Sequence, residues 1–143
     1  MVEMFTATSA TPPFTVLVID DDEVAVEQFG RMLRGEGYLV RTALDAETGL
    51  AEIKTHRPSA ILLDLRMPLV DGLGFLQRLR AVDSGIPVTI VTGDYFIDDE
   101  TATTLRSLGA EIQFKPLWLE DLSMVVHAML DGPPVSSGLA ATT

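Results

Sequence analysis

Cysteine is absent from the 143 residues. That excludes a disulfide scaffold, a thiol nucleophile and any cysteine-ligated zinc or iron–sulfur centre. Positive charge is scarce as well: 10 Lys+Arg stand against 21 Asp+Glu, a formal net charge of −11. So acidic a chain repels a phosphate backbone, and no direct binding of DNA or RNA by it is expected. No apolar run approaches the ~20 residues that span a bilayer, so no membrane partner is expected either. The N-terminal MVEMFTATSATPPF has neither a basic start nor an apolar stretch and does not read as a secretory signal, which makes the expected location cytoplasmic. The two histidines, His56 and His127, stand alone in the sequence and read as solvent-facing helix residues. None is placed for catalysis.

What remains is the composition of an ordinary globular protein. Hydrophobic residues make up 47% and charged residues 22%, which excludes a disordered chain. The length suits one domain that can bury a core without staples. Both ends read as flexible tails, residues 1–14 and 132–143, because Thr/Ser/Pro-rich and Gly/Pro/Ser/Ala/Thr-rich segments bury too little to offset the entropy of ordering. The C-terminal one can equally serve as a linker. No helix-turn-helix or catalytic domain is read after residue 131, which suits either a stand-alone domain or a part of a longer protein. The domain itself is expected over residues 15–131.

Inside that span, short apolar runs alternate with stretches of helical period. Val16–Ile19, Ala60–Leu63 and Val88–Val91 are almost wholly apolar, as expected of parallel strands covered on both faces. Tyr38–Thr42 and Ala110–Phe114 alternate and read as edge strands. Helical stripes follow them: Val26, Phe29 and Leu33; Ala46, Leu50 and Ile53; Phe75, Leu76 and Leu79; Leu122, Val125, Val126 and Met129. Asp98–Leu108 is the poorest, with Ala102, Leu105 and Leu108 as its only stripe among threonines. Gly35, Gly37, Gly85 and Gly109 mark helix ends, and Trp118 with the apolar residues after it is expected to pack the last helix. Five repeats of strand then helix predict a doubly wound α/β fold, its parallel sheet in the order 2-1-3-4-5.

In such sheets the site lies beyond the C-terminal ends of the strands. Asp20-Asp21-Asp22 follows the first strand, Asp64 the third, Thr92 closes the fourth, and Lys115-Pro116 follows the fifth. The acidic cluster is an oxygen-ligand site for a hard divalent cation, Mg²⁺ in preference to Ca²⁺. Lys115 and the Thr92 hydroxyl suit a phosphoryl group held nearby, and a carboxylate can be the nucleophile that accepts one.

Four segments carry a resemblance: VLVIDDD (16–22), ILLDLRMPLVDGLGFL (61–76), VTIVTG (88–93) and FKPL (114–117). With them, residues 15–131 resemble a two-component response-regulator receiver domain and are similar to the chemotaxis response regulator. The resemblance implies a flavodoxin-like five-stranded parallel sheet with five helices. It places the acidic pair on Asp20 and Asp21, the phosphoacceptor on Asp64, the switch hydroxyl on Thr92 and the family lysine on Lys115, with a cis Lys-Pro bond after it. It further implies Mg²⁺ held by Asp21, Asp64 and the backbone carbonyl of Arg66, with Asp20 acting through water. The implied function is a phosphorylation-activated signalling switch. The phosphodonor partner would be a histidine kinase or a histidine phosphotransfer protein, and dimerisation or effector binding would use the fourth helix, fifth strand and fifth helix. Such a domain is not an enzyme in the metabolic sense, since it catalyses only its own phosphorylation and slow dephosphorylation.

Plainer readings stand beside these. Asp22 is expected to cap the first helix, and Asp71 is read chiefly as the cap of the helix that begins near Gly72. A phosphohydrolase of the haloacid-dehalogenase type would need a second acid two positions after Asp64, where Arg66 stands. A flavin-binding module would need a Ser/Thr/Gly loop at residues 20–22, where three aspartates would repel a phosphate. A receiver-like module that only binds partners would lack one of the key residues, and none is missing. Two departures are specific to this sequence. Arg66 and Asp94, each two residues past a site residue, have opposite charge and are expected to pair across the crevice. Ile112 stands three residues before Lys115, where many receivers carry Tyr or Phe. It is stiff at its first torsion, so the surface change is expected on the fourth helix.

Overall fold

The structure, a computed structural model, describes residues 14–131. The two expected tails therefore lie outside the described residues, apart from Phe14. Strands and helices alternate as β1 (Thr15–Ile19), α1 (Glu23–Gly35), β2 (Leu39–Ala43), α2 (Ala46–Thr55), β3 (Ala60–Leu63), α3 (Gly72–Val82), β4 (Val88–Thr92), α4 (Asp99–Ser107), β5 (Ala110–Phe114) and α5 (Leu119–Leu130). All strand pairs are parallel and the order is β2-β1-β3-β4-β5. This is the predicted doubly wound sheet; β2 starts one residue later than its alternation implied.

The central strands are almost wholly apolar because both faces of the sheet are covered, with Thr89 and Thr92 of β4 as buried polar exceptions. Side chains alternate between faces, so Leu17, Ile19, Ile61 and Leu63 pack with Phe75, Leu76, Leu79 and Leu105 under α2, α3 and α4. Val16, Val18 and Leu62 pack with Phe29, Leu33, Leu122 and Val126 under α1 and α5. Register then fixes where the strands end. Ile19 lies opposite both Ala43 and Leu63, and Leu63 lies opposite Ile90. The residues that follow Ile19 and Leu63, Asp20 and Asp64, are thereby brought to the same edge.

The fourth helix is as weakly held as its sequence implied. Only Leu105 is fully buried, and one such side chain contributes about 2 kcal/mol. Asp98 caps the N-terminus by accepting from the Thr101 N–H at 2.7 Å. The other end is pinned from α3, where Arg80 Nε donates to the Leu108 carbonyl at 2.7 Å and its Nη1 to the Ile86 carbonyl at 2.7 Å. Gly109 then turns the chain with φ 86°, a left-handed conformation that glycine adopts without strain.

Trp118 corrects an expectation. It does not pack the last helix: it is 68% exposed, and Leu119 after it is also exposed. Trp118 occupies the N-cap of α5 with extended backbone, its N–H donating to Asp121 Oδ2 at 3.1 Å. Leu117 takes the buried position before it, and Leu122, Val126 and Met129 already fill the core face of α5. Both histidines are exposed as expected, although His127 also meets the edge of Tyr38, with ring centroids 6.5 Å apart.

Candidate functional site

The backbone at the strand ends sets the site. The Asp64 N–H donates to the Ile19 carbonyl at 2.9 Å and the Asp20 N–H to the Ala43 carbonyl at 3.1 Å, which locks both aspartates to the ends of neighbouring strands. Asp22 turns away to cap α1, accepting from the Val24 and Ala25 N–H groups. Its own N–H donates to Asp20 Oδ1 at 3.0 Å. Lys115 leaves β5 beside them, and its N–H donates to the Thr92 carbonyl at 2.8 Å. The Lys115–Pro116 bond is cis, as the resemblance implied.

The side chains meet as the strand-end rule predicted. Carboxylate oxygens of Asp20, Asp21 and Asp64 all lie within 4.8 Å of one another. Asp20 and Asp64 are 3% and 7% exposed, whereas Asp21 faces solvent. The Lys115 ammonium binds Asp20 Oδ2 at 2.7 Å and stands 3.9 Å from Asp64 Oδ1. The lysine is thus committed mainly to Asp20, and Asp64 is left undercompensated. Burial, and next the charge of Asp20, push the Asp64 carboxyl up to about 6, against the pull of Lys115 and the Leu65 N–H. Burial by itself pulls the Lys115 ammonium down, but the hydrogen bond to Asp20 and the charges of Asp64, Asp20 and Asp22 outweigh it, so its pKa is raised.

Three carboxylates share one ammonium, and all the remaining donors in the cluster are oxygens. That donor set fits a hard divalent cation of the Mg²⁺ kind. The Arg66 carbonyl belongs to the loop leaving β3, while the Arg66 side chain extends to Asp94, Nε to Oδ2 at 2.7 Å. The expected pair across the crevice is therefore present. The Phe96 N–H first, and then the Arg66 guanidinium, hold the Asp94 carboxyl below the usual carboxylate range. Thr92 is fully buried, and its Oγ1 accepts from the Asp94 N–H at 3.1 Å.

Two contributors were less legible. Gly72, read only as the start of the third helix, presses against the backbone of Asp64. A Cβ there would lie 2.5 Å from the Asp64 carbonyl oxygen and 2.9 Å from Leu65 Cα. Asp71 caps the same helix, accepting from the Gly74 N–H at 2.9 Å, and the Gly72 N–H donates to the Leu65 carbonyl at 2.8 Å, which ties the start of α3 to the loop after Asp64. Gly72→Ala is expected to lower stability by about 1–3 kcal/mol, and to displace Asp64. Urea unfolding reads the first effect, and loss of Mg²⁺ affinity relative to wild type reads the second. Tyr95, from the loop between β4 and α4, escaped the sequence reading; its hydroxyl donates to the Lys115 carbonyl and its ring stacks on Phe114. An aromatic in a polar loop was the available signal, but nothing in the spacing names a backbone carbonyl as its partner.

Residues 16–127 match the family described as response regulator receiver domain. The chain is 37% identical over 123 residues to the transcriptional regulatory protein PrrA of Mycobacterium tuberculosis, a match covering 86% of this chain and 52% of PrrA. It spans about half the length of the curated relatives it matches. Among solved structures, a CheY-like response regulator receiver domain protein from Methanospirillum hungatei superposes with a TM-score of 0.79 at 27% identity, covering 84% of this chain and 95% of that one. A chain of the CheX-CheY-BeF3-Mg²⁺ complex from Borrelia burgdorferi superposes with a TM-score of 0.72 at 26% identity, covering 81% of this chain and 90% of the matched chain.

Proposed function

This chain belongs to the response regulator receiver domain family, and on that premise we propose that Asp64 accepts a phosphoryl group from the phosphohistidine of a histidine kinase or a histidine phosphotransfer protein. The observation that carries this reading is the convergence of Asp20, Asp21 and Lys115 on Asp64 at the ends of three different strands. In the reaction an Asp64 oxygen attacks phosphorus, the phosphorus–nitrogen bond breaks, and the imidazole leaves. With its carboxyl pushed up to about 6, Asp64 is mostly ionised above neutral pH and available as the nucleophile. When bound, a divalent cation of the Mg²⁺ kind, held by Asp21, Asp64 and the Arg66 carbonyl with Asp20 acting through water, supplies positive charge against the phosphoryl oxygens. The Lys115 ammonium lies close enough to shift from Asp20 toward a phosphoryl oxygen on Asp64. The Thr92 hydroxyl donates to the same group, a charge-assisted bond stronger than its present contact.

The receiver unit spans residues 15–131. It catalyses only its own phosphorylation and slow dephosphorylation. The altered surface falls on α4, β5 and α5, where dimerisation or effector binding occurs, and α4 with its single buried anchor moves most readily. Among the described residues no helix is long and apolar enough to cross a membrane, in keeping with a cytoplasmic location. Mass spectrometry after treatment with acetyl phosphate and Mg²⁺ tests the assignment. Wild-type protein is expected to gain a single base-labile phosphoryl group and Asp64→Asn none; an equal gain in Asp64→Asn would move the phosphoacceptor elsewhere.

The Arg66–Asp94 pair stands over the crevice, where water must approach the acyl phosphate. Arg66→Ala and Asp94→Ala are each expected to shorten the lifetime of phosphorylated protein by about two- to fivefold, the scale of an exposed ion pair. Loss of ³²P label after removal of the donor measures it. Unchanged lifetimes in both variants would show that the pair does not shield the site.

A further inference from the structure

Lys115 is anchored on three sides. Its ammonium binds Asp20, its N–H donates to the Thr92 carbonyl, and its carbonyl accepts from the Tyr95 hydroxyl. The Tyr95 ring lies on Phe114, the residue before Lys115, with centroids 5.5 Å apart and planes inclined by 28°. The loop that carries Tyr95 is itself tied into the crevice. The Asp94 N–H donates to Thr92 Oγ1, Arg66 holds Asp94 Oδ2, and the Phe96 N–H donates to Asp94 Oδ1 at 2.9 Å.

The three anchors differ in what the reaction does to them. A lysine carries its charge on a flexible four-carbon stem, and in the unphosphorylated site Asp20 fixes the tip of that stem. Contact with a phosphoryl group on Asp64 requires the ammonium to leave or share Asp20, so the tip anchor is weakened when the aim of the lysine matters most. The strand-to-strand bond to Thr92 holds one side of the Lys115 backbone. Tyr95 holds the other, and its ring braces Phe114 immediately upstream.

We propose that Tyr95 is a positioning residue for phosphoryl transfer, which fixes the Lys115 backbone so that its ammonium reaches the phosphoryl oxygens. This role rests on the reading of Asp64 as the phosphoacceptor. Tyr95 touches neither the phosphoryl group nor the cation and acts through Lys115 alone. Because it is 61% exposed, its removal leaves no core cavity. A small misplacement of a reacting group lowers rate and affinity without unfolding the protein.

The test uses the full chain with Tyr95→Phe, which keeps the stacked ring and loses the hydrogen bond, and Tyr95→Ala, which loses both. Three quantities are measured: the melting temperature, Mg²⁺ affinity by calorimetry, and beryllofluoride affinity at saturating Mg²⁺ together with the phosphorylation rate from acetyl phosphate. The expected result is a split. Mg²⁺ affinity stays within about twofold of wild type and the melting temperature within about two degrees. Beryllofluoride affinity and phosphorylation rate fall about threefold in Tyr95→Phe and about tenfold in Tyr95→Ala, the scale of one and then two lost contacts. Wild-type beryllofluoride affinity and rate in Tyr95→Ala would overturn the proposal. A parallel fall in Mg²⁺ affinity and melting temperature would overturn it too, since Tyr95 would then serve only the fold. Wild-type protein that takes neither beryllofluoride nor phosphoryl would instead overturn the phosphoacceptor reading, and this role with it.

Discussion

Asp64→Asn is expected to stabilise the Mg²⁺-free domain, and the gain should appear only as pH rises. The Asp64 carboxyl stands at about 6 in the folded protein against 3.8 for the free group. Between those two values the folded state binds more protons than the unfolded state, so stability falls as pH increases through that window. Above about pH 6 the cost is fully present, and a pKa difference of this size corresponds to about 2–3 kcal/mol. Asn keeps the shape and removes the charge that burial and Asp20 oppose. Thermal melts in chelator at pH 4, 6 and 8 are expected to show nearly equal midpoints at pH 4 and a gain on the order of 10 °C for Asp64→Asn at pH 8. Millimolar Mg²⁺ should close the gap by raising the wild-type midpoint, because a ligand that binds only the folded state stabilises it by mass action. Asp21→Ala should lose most of that Mg²⁺-dependent rise. An Asp64→Asn variant less stable than wild type at pH 8 would mean that Lys115 satisfies Asp64 after all, contrary to the 2.7 Å and 3.9 Å distances that favour Asp20.

This conflict at Asp64 was only partly legible in the sequence. The strands were readable because a parallel sheet covered on both faces favours apolar side chains at nearly every position, and Val16–Ile19, Ala60–Leu63 and, apart from Thr89, Val88–Val91 fit that pattern. Once the sheet order follows, polar residues at the C-terminal ends must converge, so Asp20, Asp21, Asp64, Thr92 and Lys115 could be grouped from their positions alone. Arg66 and Asp94 could be paired on charge and position. The division of Lys115 between two carboxylates was not readable, because it depends on differences of about an ångström that spacing does not encode. Trp118 misled for a related reason: its large apolar ring argued for burial, but its backbone had to serve as the N-cap of α5, which points the side chain outward. Tyr95 was missed because its partner is a main-chain carbonyl, and every residue has one.

Lys115→Met is expected to be the most damaging single change at the site, for the reason that makes Asp64→Asn favourable. Met preserves the apolar stem and removes the only cation among the described residues that the structure places against Asp20 and Asp64. Removing one partner of a buried ion pair costs about 3–5 kcal/mol, and the partial exposure of the Lys115 side chain, 26%, reduces that to about 2–3 kcal/mol. The sign with pH follows from both partners. Lys115, its pKa raised, is charged throughout the physiological range, so the wild-type pair persists until strongly alkaline pH. In the variant the penalty comes from carboxylates left without their cation, and its Asp64 part fades as acid protonates that group. The stability deficit of Lys115→Met is therefore expected to be larger at pH 8 than at pH 4, opposite in sign to the Asp64→Asn gain. Two further measurements separate charge balance from chemistry. Adding Asp20→Asn to Lys115→Met should recover much of the lost stability, since both members of the pair are then uncharged. Mg²⁺ should also restore stability by supplying positive charge, yet phosphorylation from acetyl phosphate should stay at least about tenfold slower, because nothing then reaches the phosphoryl oxygens from the β5 side. A Lys115→Met variant that melts with wild type at pH 8 in chelator would show that solvent, and not Lys115, satisfies Asp20. If Mg²⁺ returned the phosphorylation rate along with the stability, Lys115 would matter to the charge balance of the crevice alone.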